Sequence, residues 1–187
     1  MRVLLLYCHP RPQSFIGALC ADALQILPAN GRQLDVFDLY AEAFDPVLSA
    51  EEMTTYAAAS EHAARLRRAE ALVAIYPTWW YGPPAMLKGY FERLWAPGVA
   101  FSLEGGATAG LLSNIRQLLV ITTYGAPRDF VEREIGDPGA AFWLNGVARL
   151  LAPDCRKTWC AEYGLDGADG ETRERFRERA RAALHAL

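Results

Sequence analysis

Three short apolar runs, each cut off by an unusual loop, constrain this chain more than any other feature. Val3-Leu4-Leu5-Leu6-Tyr7-Cys8 stops at His9-Pro10-Arg11-Pro12, Ala71-Leu72-Val73-Ala74-Ile75-Tyr76 stops at Pro77, and Gln117-Leu118-Leu119-Val120-Ile121-Thr122 runs into Thr123-Tyr124-Gly125. Runs of this length without polar alternation mark strands buried on both faces. Such strands need a covering layer on each side, so helices have to fall between them in the sequence.

The intervening segments supply those helices. Ser14 is placed to cap a helix over 15–27 that Pro28, Asn30 and Gly31 close. Leu34 to Leu39 reads as a second strand, and Glu51 to Ala69 as a helix carrying Met53, Tyr56 and Leu66. Pro83 and Pro84 open a helix that runs to about Trp95, at first-turn positions where a missing N–H costs little. After an irregular stretch and the 117–122 strand come a helix over 140–151, a fifth strand over 158–163 and a closing amphipathic helix over 171–187. Five strands alternating with five helices predict an α/β fold. Its form is a flavodoxin-like three-layer sandwich, a five-stranded parallel sheet in the order 2-1-3-4-5 with helices on both faces and right-handed crossovers. With 187 residues and no repeat or long linker, residues 1–187 are expected to form a single domain.

Several function classes fall away. Nineteen Lys and Arg against 22 Asp and Glu give a net charge of −3, which lacks the basic footprint of a nucleic-acid binder. Neither a G-x-G-x-x-G fingerprint nor a Walker loop is present. The four cysteines show no C-x-x-C spacing and read as reduced, mostly buried thiols. No apolar run reaches the ~18 residues of a membrane span, so no membrane insertion is expected and a cytoplasmic location is the default. Three histidines without H-x-x-H or H-x-x-x-H spacing predict no metal site. His62 and His185 read as surface residues. Lys88, Glu92 and Arg93 read as a solvated helix face, and the arginines between 173 and 181, alternating with glutamates, as an exposed salt-bridged helix.

In a 2-1-3-4-5 sheet the loops after Cys8, Tyr76 and Thr122 converge beyond the strand ends. The first leads into a helix N-terminus, where free N–H groups attract an anion: His9, the Ser14 hydroxyl and the N–H groups of Phe15 and Ile16 are candidate phosphate ligands. Helix capping alone also explains Ser14. The second, from Pro77 through Thr78, Trp79, Trp80 and Tyr81 to Gly82-Pro83-Pro84, sets three adjacent aromatics between prolines, a wall suited to a flat ring. The third, Thr122-Thr123-Tyr124-Gly125, offers hydroxyls and N–H groups to a polar ring edge.

These loops resemble those of the NAD(P)H:quinone oxidoreductases of the DT-diaphorase type. The segment from Pro77 to Arg93 is similar to that family's P-x-x-W-[FY]-x-x-P-x-x-L-K-G-[WY]-[FL]-[DE]-R signature. His9 with Ser14-Phe15, Phe44-Asp45-Pro46 after Asp38-Leu39-Tyr40, and Thr122-Thr123 with Gly125 resemble further family segments. The resemblance implies that His9 and the 14–16 backbone hold a flavin phosphate, that residues 77–81 border the isoalloxazine, and that residues 122–125 contact its pyrimidine side. It also implies FMN or FAD as a non-covalent cofactor, NAD(P)H as electron donor, a quinone or similar aromatic acceptor contacted by Trp80, Tyr81 and Phe130, and a homodimer sharing the site.

The chain departs from the family pattern at three points. Tyr124 replaces the first Gly of T-T-G-G and inserts a ring where the family leaves room. Phe130 replaces a Tyr, and Ile135-Gly136-Asp137 replaces a His. The family's Tyr/His proton relay is therefore absent, and Tyr124 is the remaining candidate proton donor. The same pattern also accommodates a flavodoxin-like one-electron carrier or an accessory regulatory subunit of a potassium efflux transporter.

Overall fold

Five parallel strands carry the molecule, and their order follows from the burial of the three apolar runs. The computed structural model describes residues 1–55 and 61–187. β1 (Arg2–Tyr7) lies between β2 (Gln33–Asp38) and β3 (Ala71–Pro77), with Leu5 level with Val36 on one side and Val73 on the other. β6 (Gln117–Thr123) follows β3, and β7 (Arg156–Glu162) is the far edge. A two-stranded hairpin, β4 (Phe101–Ser102) with β5 (Ala109–Gly110), occupies the irregular stretch. The main sheet is therefore 2-1-3-6-7 in chain order, the 2-1-3-4-5 order among its own five strands.

Alternate residues of the strands enter two separate cores. Leu4, Leu6, Leu72, Tyr76, Leu118 and Val120 pack with α3 (Glu61–Arg68), α4 (Ala85–Leu94) and Trp143. Val3, Leu5, Val73, Ile75, Leu119 and Ile121 pack with α1 (Phe15–Ala29) and α6 (Gly170–His185). Each fully buried Leu or Ile contributes about 1.5–3 kcal/mol, so both faces of the sheet are strongly specified. Because all five strands run the same way, the loops after β1, β3, β6 and β7 emerge along one edge.

Three local expectations change. The helix expected over 140–151 is α-helical only over α5 (Pro138–Ala141), then widens into i→i+5 turns over Phe142–Gly146 and tightens into i→i+3 turns over Val147–Leu150. The widened turn carries Trp143, which is fully buried and donates its Nε1–H to the Tyr76 hydroxyl at 2.6 Å. Of the helix expected over 51–69, α2 (Ala50–Thr55) and α3 are seen; Tyr56 lies outside the described residues. His62 is half-buried rather than freely exposed: its ring stacks on Phe37 with centroids 4.2 Å apart and 16° between planes.

Three arginines expected at the surface are structural ties. Arg93 reaches back from α4 to the Asp45 carbonyl and the Glu52 carboxylate, and its guanidinium lies over the Phe44 ring, with Cζ 5.4 Å from the centroid. On α6, Arg177 and Arg181 both turn to the buried Asp22 of α1. A long cationic side chain with an apolar stem can line a core edge while its head finds a carboxylate, which an i,i+4 charge pattern does not reveal.

Candidate active site

The loop after β1 enters α1 through Ser14, whose extended backbone (φ −90°, ψ 168°) leaves the hydroxyl free to accept from the Gly17 N–H at 3.0 Å. Ser14 is thus an N-cap, and a capping hydroxyl keeps its own hydrogen for a ligand. The N–H groups of Phe15 and Ile16 find no acceptor among the described residues. Their side chains point elsewhere: Ile16 is buried in the core, and the Phe15 ring meets Phe176 at 6.1 Å. His9 Nδ1 lies 3.0 Å from both the N and the O of Arg11. Burial holds the imidazole below its ordinary pKa, with the Arg11 charge acting the same way and the Arg11 carbonyl opposing both. In the neutral ring Nδ1 accepts the Arg11 N–H, and Nε2 carries the hydrogen as a donor.

The loop after β3 is a two-residue hairpin turn. Trp79 and Gly82 exchange N–H···O bonds of 3.1 Å each, and the residues between them, Trp80 and Tyr81, sit at φ 50° and 62°. Two consecutive left-handed residues form the type I′ geometry, normally filled by Asn and Gly. Bulky aromatics there store backbone strain. The turn leaves Trp80 95% exposed and tilts Trp79 toward His9, with ring centroids 6.1 Å apart. Phe130, at the start of the Phe130–Ile135 turns, stands 6.3 Å from the Tyr81 ring.

The loop after β6 divides by strand alternation. Thr122 points down and is fully buried, its hydroxyl 2.8 Å from that of Thr78. Tyr124 is 2% exposed and donates to Asp137 Oδ1 at 2.6 Å, while Tyr163 donates to Oδ2 of the same carboxylate at 2.6 Å. The two phenol rings stack at 4.5 Å. Asp137 also caps α5 through the Ala140 N–H at 3.0 Å. At Gly139 a Cβ would stand 2.3 Å from the Tyr124 hydroxyl and 3.2 Å from the Tyr81 carbonyl, so only glycine lets α5 close against both loops. Burial, followed by the bond to the Asp137 carboxylate, raises both phenols, Tyr163 to about 12.

A cavity of about 710 Å³ opens between these loops, within the range of roughly 300–1,000 Å³ usual for small-molecule sites. His9, Ser14, Phe15, Ile16, Pro77, Thr78, Trp79, Trp80, Tyr81, Thr123, Tyr124 and Gly125 line it. Two residues singled out from the sequence do not. Thr122 lies under the floor, and Phe130 stands beside Tyr81, 43% exposed. Tyr124 lines the cavity without obstructing it, because its ring is withdrawn into a small cluster with Val131 and Ala161. Its hydroxyl is spent on Asp137, so the geometry gives it no proton to offer a ligand. Four lining residues went unread in the sequence: Arg11, Ala126, Leu165 and Asp166. Arg11 lay within the first loop, read only as a strand terminator; Asp166 sits among ordinary turn residues and carried no signal. Among the described residues, no group of three or more His, Cys, Asp or Glu can hold a metal ion.

An anion-attracting helix start, an aromatic turn and a Thr/Gly loop at one edge of a 2-1-3-4-5 sheet define the flavodoxin-like class. A family model described as a flavodoxin-like fold matches residues 1–187, and the chain belongs to that family. Within it the chain groups with the NAD(P)H:quinone oxidoreductases. It is 34% identical over 137 residues to an uncharacterized NAD(P)H oxidoreductase of Haemophilus influenzae, spanning 69% of this chain and 67% of that one. Over 166 residues it is 29% identical to the human ribosyldihydronicotinamide dehydrogenase (quinone), spanning 76% and 72% of the two chains. A solved NAD(P)H:quinone oxidoreductase from Methanothermobacter marburgensis is similar over 100% of this chain and 96% of its own, with TM-score 0.81 and 30% identity.

Proposed function

We propose that the cavity binds a flavin, FMN or FAD, and that this NAD(P)H-dependent oxidoreductase passes two electrons from NAD(P)H through it to a quinone or similar aromatic acceptor. One observation carries the reading: an anion cradle, an aromatic turn and a polar loop border a single cavity. The donor set fits a phosphorylated ring compound. Free N–H groups of Phe15 and Ile16, the Ser14 hydroxyl and His9 Nε2–H meet a phosphate, and the positive end of α1 adds its dipole. Residues 77–81 would flank the ring, and the backbone N–H of Gly125 would meet its polar edge, while the Tyr124 N–H is held by the Glu162 carbonyl at 2.7 Å.

A bound flavin supplies hydride acceptance and hydride donation. The protein's part is alignment and exclusion of water. The Thr78–Thr122 pair and the Trp143–Tyr76 bond fix the floor from beneath, so a bound ring would rest on buried groups rather than on mobile side chains. A single pocket shared by donor and acceptor makes the cycle ping-pong, with oxidised NAD(P) leaving before the acceptor enters. Among the described residues no buried acid faces the cavity with a proton to give, so the reduced acceptor draws its proton from water.

The exposed Trp79 and Trp80, with the exposed Phe130 beside Tyr81, leave an apolar rim at the cavity mouth. This supports a homodimer in which a second copy covers the rim. Light scattering after size exclusion tests it. Among the described residues no helix is long and apolar enough to cross a membrane.

The decisive experiment is the absorbance spectrum of the purified protein, with flavin extraction and anaerobic additions of NADH and of NADPH. The expected result is a yellow protein bleached in a two-electron step by one of the two donors. A protein that stays colourless after incubation with FMN and with FAD overturns the reading.

A further inference from the structure

Of the nine aspartates in the chain, eight hold a hydrogen bond or an ion pair within the protein. The ninth is Asp166, whose carboxylate has neither among the described residues and lies on the cavity edge. A carboxylate on a loop is ordinarily left to solvent, but this one is held in place by its backbone. Its turn, Leu165–Gly167, follows β7 and is tied to the third loop: the Leu165 N–H donates to the Tyr124 carbonyl at 2.9 Å, and the Gly164 N–H to the Ala126 carbonyl at 2.8 Å. Arg173 fastens the other side, donating to the carbonyls of Leu165 and Ala168 at 3.2 and 3.3 Å.

The carboxylate rests directly over Gly125. A Cβ at that position would meet Asp166 Oδ2 at 2.3 Å and Cγ at 2.9 Å, so the approach requires glycine. The cavity is therefore polarised. At one end, free N–H groups and the α1 dipole attract negative charge; at the other, an ionised carboxylate repels it and can only accept hydrogen bonds. A ligand spanning both ends carries its phosphate at the first and presents a hydrogen at the second.

Building on the flavin reading above, we infer that Asp166 accepts a hydrogen bond from the imide N–H of the flavin's pyrimidine ring, and is thereby a cofactor-binding residue. On that ring edge the two carbonyls flanking the N–H are repelled by a carboxylate, so the N–H alone matches it. Charge-assisted bonds of this kind are the stronger class. The bond fixes which way round the ring lies and leaves the phosphate at the His9 end.

The test compares FMN with 3-methyl-FMN, which lacks that hydrogen, by quenching of flavin fluorescence on the full chain. The unaltered protein is expected to prefer FMN by about tenfold or more, equivalent to ~1.4 kcal/mol. In Asp166→Ala the preference falls to near unity, because FMN loses its acceptor while the methyl group gains space. Gly125→Ala, whose Cβ displaces the carboxylate without removing it, moves the ratio the same way. If Asp166→Ala keeps the tenfold preference, or weakens both flavins equally as loss of a ribityl contact would, the inference is overturned. If the unaltered chain binds neither flavin, the flavin reading itself fails, an outcome distinct from the first two. The Asp166 side chain is exposed and makes no bond among the described residues, so its alanine variant is expected to melt with the parent.

Discussion

Arg177 on α6 grips Asp22 on α1 through two parallel bonds, Nε to Oδ2 at 2.6 Å and Nη2 to Oδ1 at 2.8 Å. Arg181 adds a third at 2.9 Å. Asp22 is only 4% exposed, so its charge depends on these partners. Asp22→Asn is expected to cost about 2 kcal/mol of unfolding free energy, the scale of hydrogen bonds to charged groups. Urea denaturation at neutral pH checks it. Burial alone would raise the Asp22 carboxyl, but the bonds from Arg177 and Arg181 outweigh it and hold the pKa below its ordinary value. With a depressed folded pKa the stabilisation is complete above the unfolded carboxyl value and is lost as pH falls through the folded one. The gap between parent and variant should therefore close only in acid, below about pH 4.

His62 titrates with the opposite consequence for its charge. Burial, then the Arg65 charge, lowers its pKa, while Glu42, Glu61 and Asp35 oppose them. The folded state thus resists protonation of His62, and its contribution is whole above the unfolded value near 6.5 and declines as pH falls below it. Melting curves between pH 5 and about 7 are expected to show this slope in the parent. The slope should be shallower in His62→Gln.

Trp80 sits at φ 50° with almost none of its side chain buried. Trp80→Gly relieves the left-handed strain at a small entropic cost in the unfolded chain, for a net gain of about 0.5–1 kcal/mol. The same change removes an aromatic wall, so acceptor KM should rise. A variant that is both less stable and equally active would contradict the account.

Ser14→Ala separates capping from ligand binding. Losing the cap costs about 1 kcal/mol of stability. Losing the hydroxyl's hydrogen should weaken FMN by about tenfold, as expected for one charge-assisted bond, and leave riboflavin, which has no phosphate, unaffected. Equal losses for both flavins would assign Ser14 to the helix alone.

Tyr124→Phe deletes the bond to Asp137 and nothing on the cavity side. About 1 kcal/mol of stability should be lost, with turnover retained within roughly twofold and an unchanged pH–rate profile, since a group that is not the acid leaves proton transfer untouched. A hundredfold fall in turnover would instead make Tyr124 the proton donor.

The sheet was legible because β1, β3 and β6 are apolar without interruption, a pattern few other elements share. The 138–150 segment was not, since its helix changes winding to seat Trp143 against Tyr76, a tertiary demand that overrides local periodicity. Within the site, the first two loops announced themselves by rare residues, histidine between prolines and adjacent tryptophans. Thr122, expected with its neighbours at the ring edge, lies beneath the lining because strand alternation separates it from Thr123, one facing down and the other up. Asp166 was invisible for another reason. Aspartate followed by glycine is ordinary turn chemistry, and only the close approach to Gly125 distinguishes Asp166.

Because all the parallel strands end along one rim, each wall of the cavity hangs from its own strand and meets its neighbours only through loop contacts. Substitutions at the exposed Trp80 or Asp166 leave the hydrophobic ladder beneath untouched. Such an arrangement lets descendants of one ancestor be retooled for new electron acceptors wall by wall, without relearning how to fold.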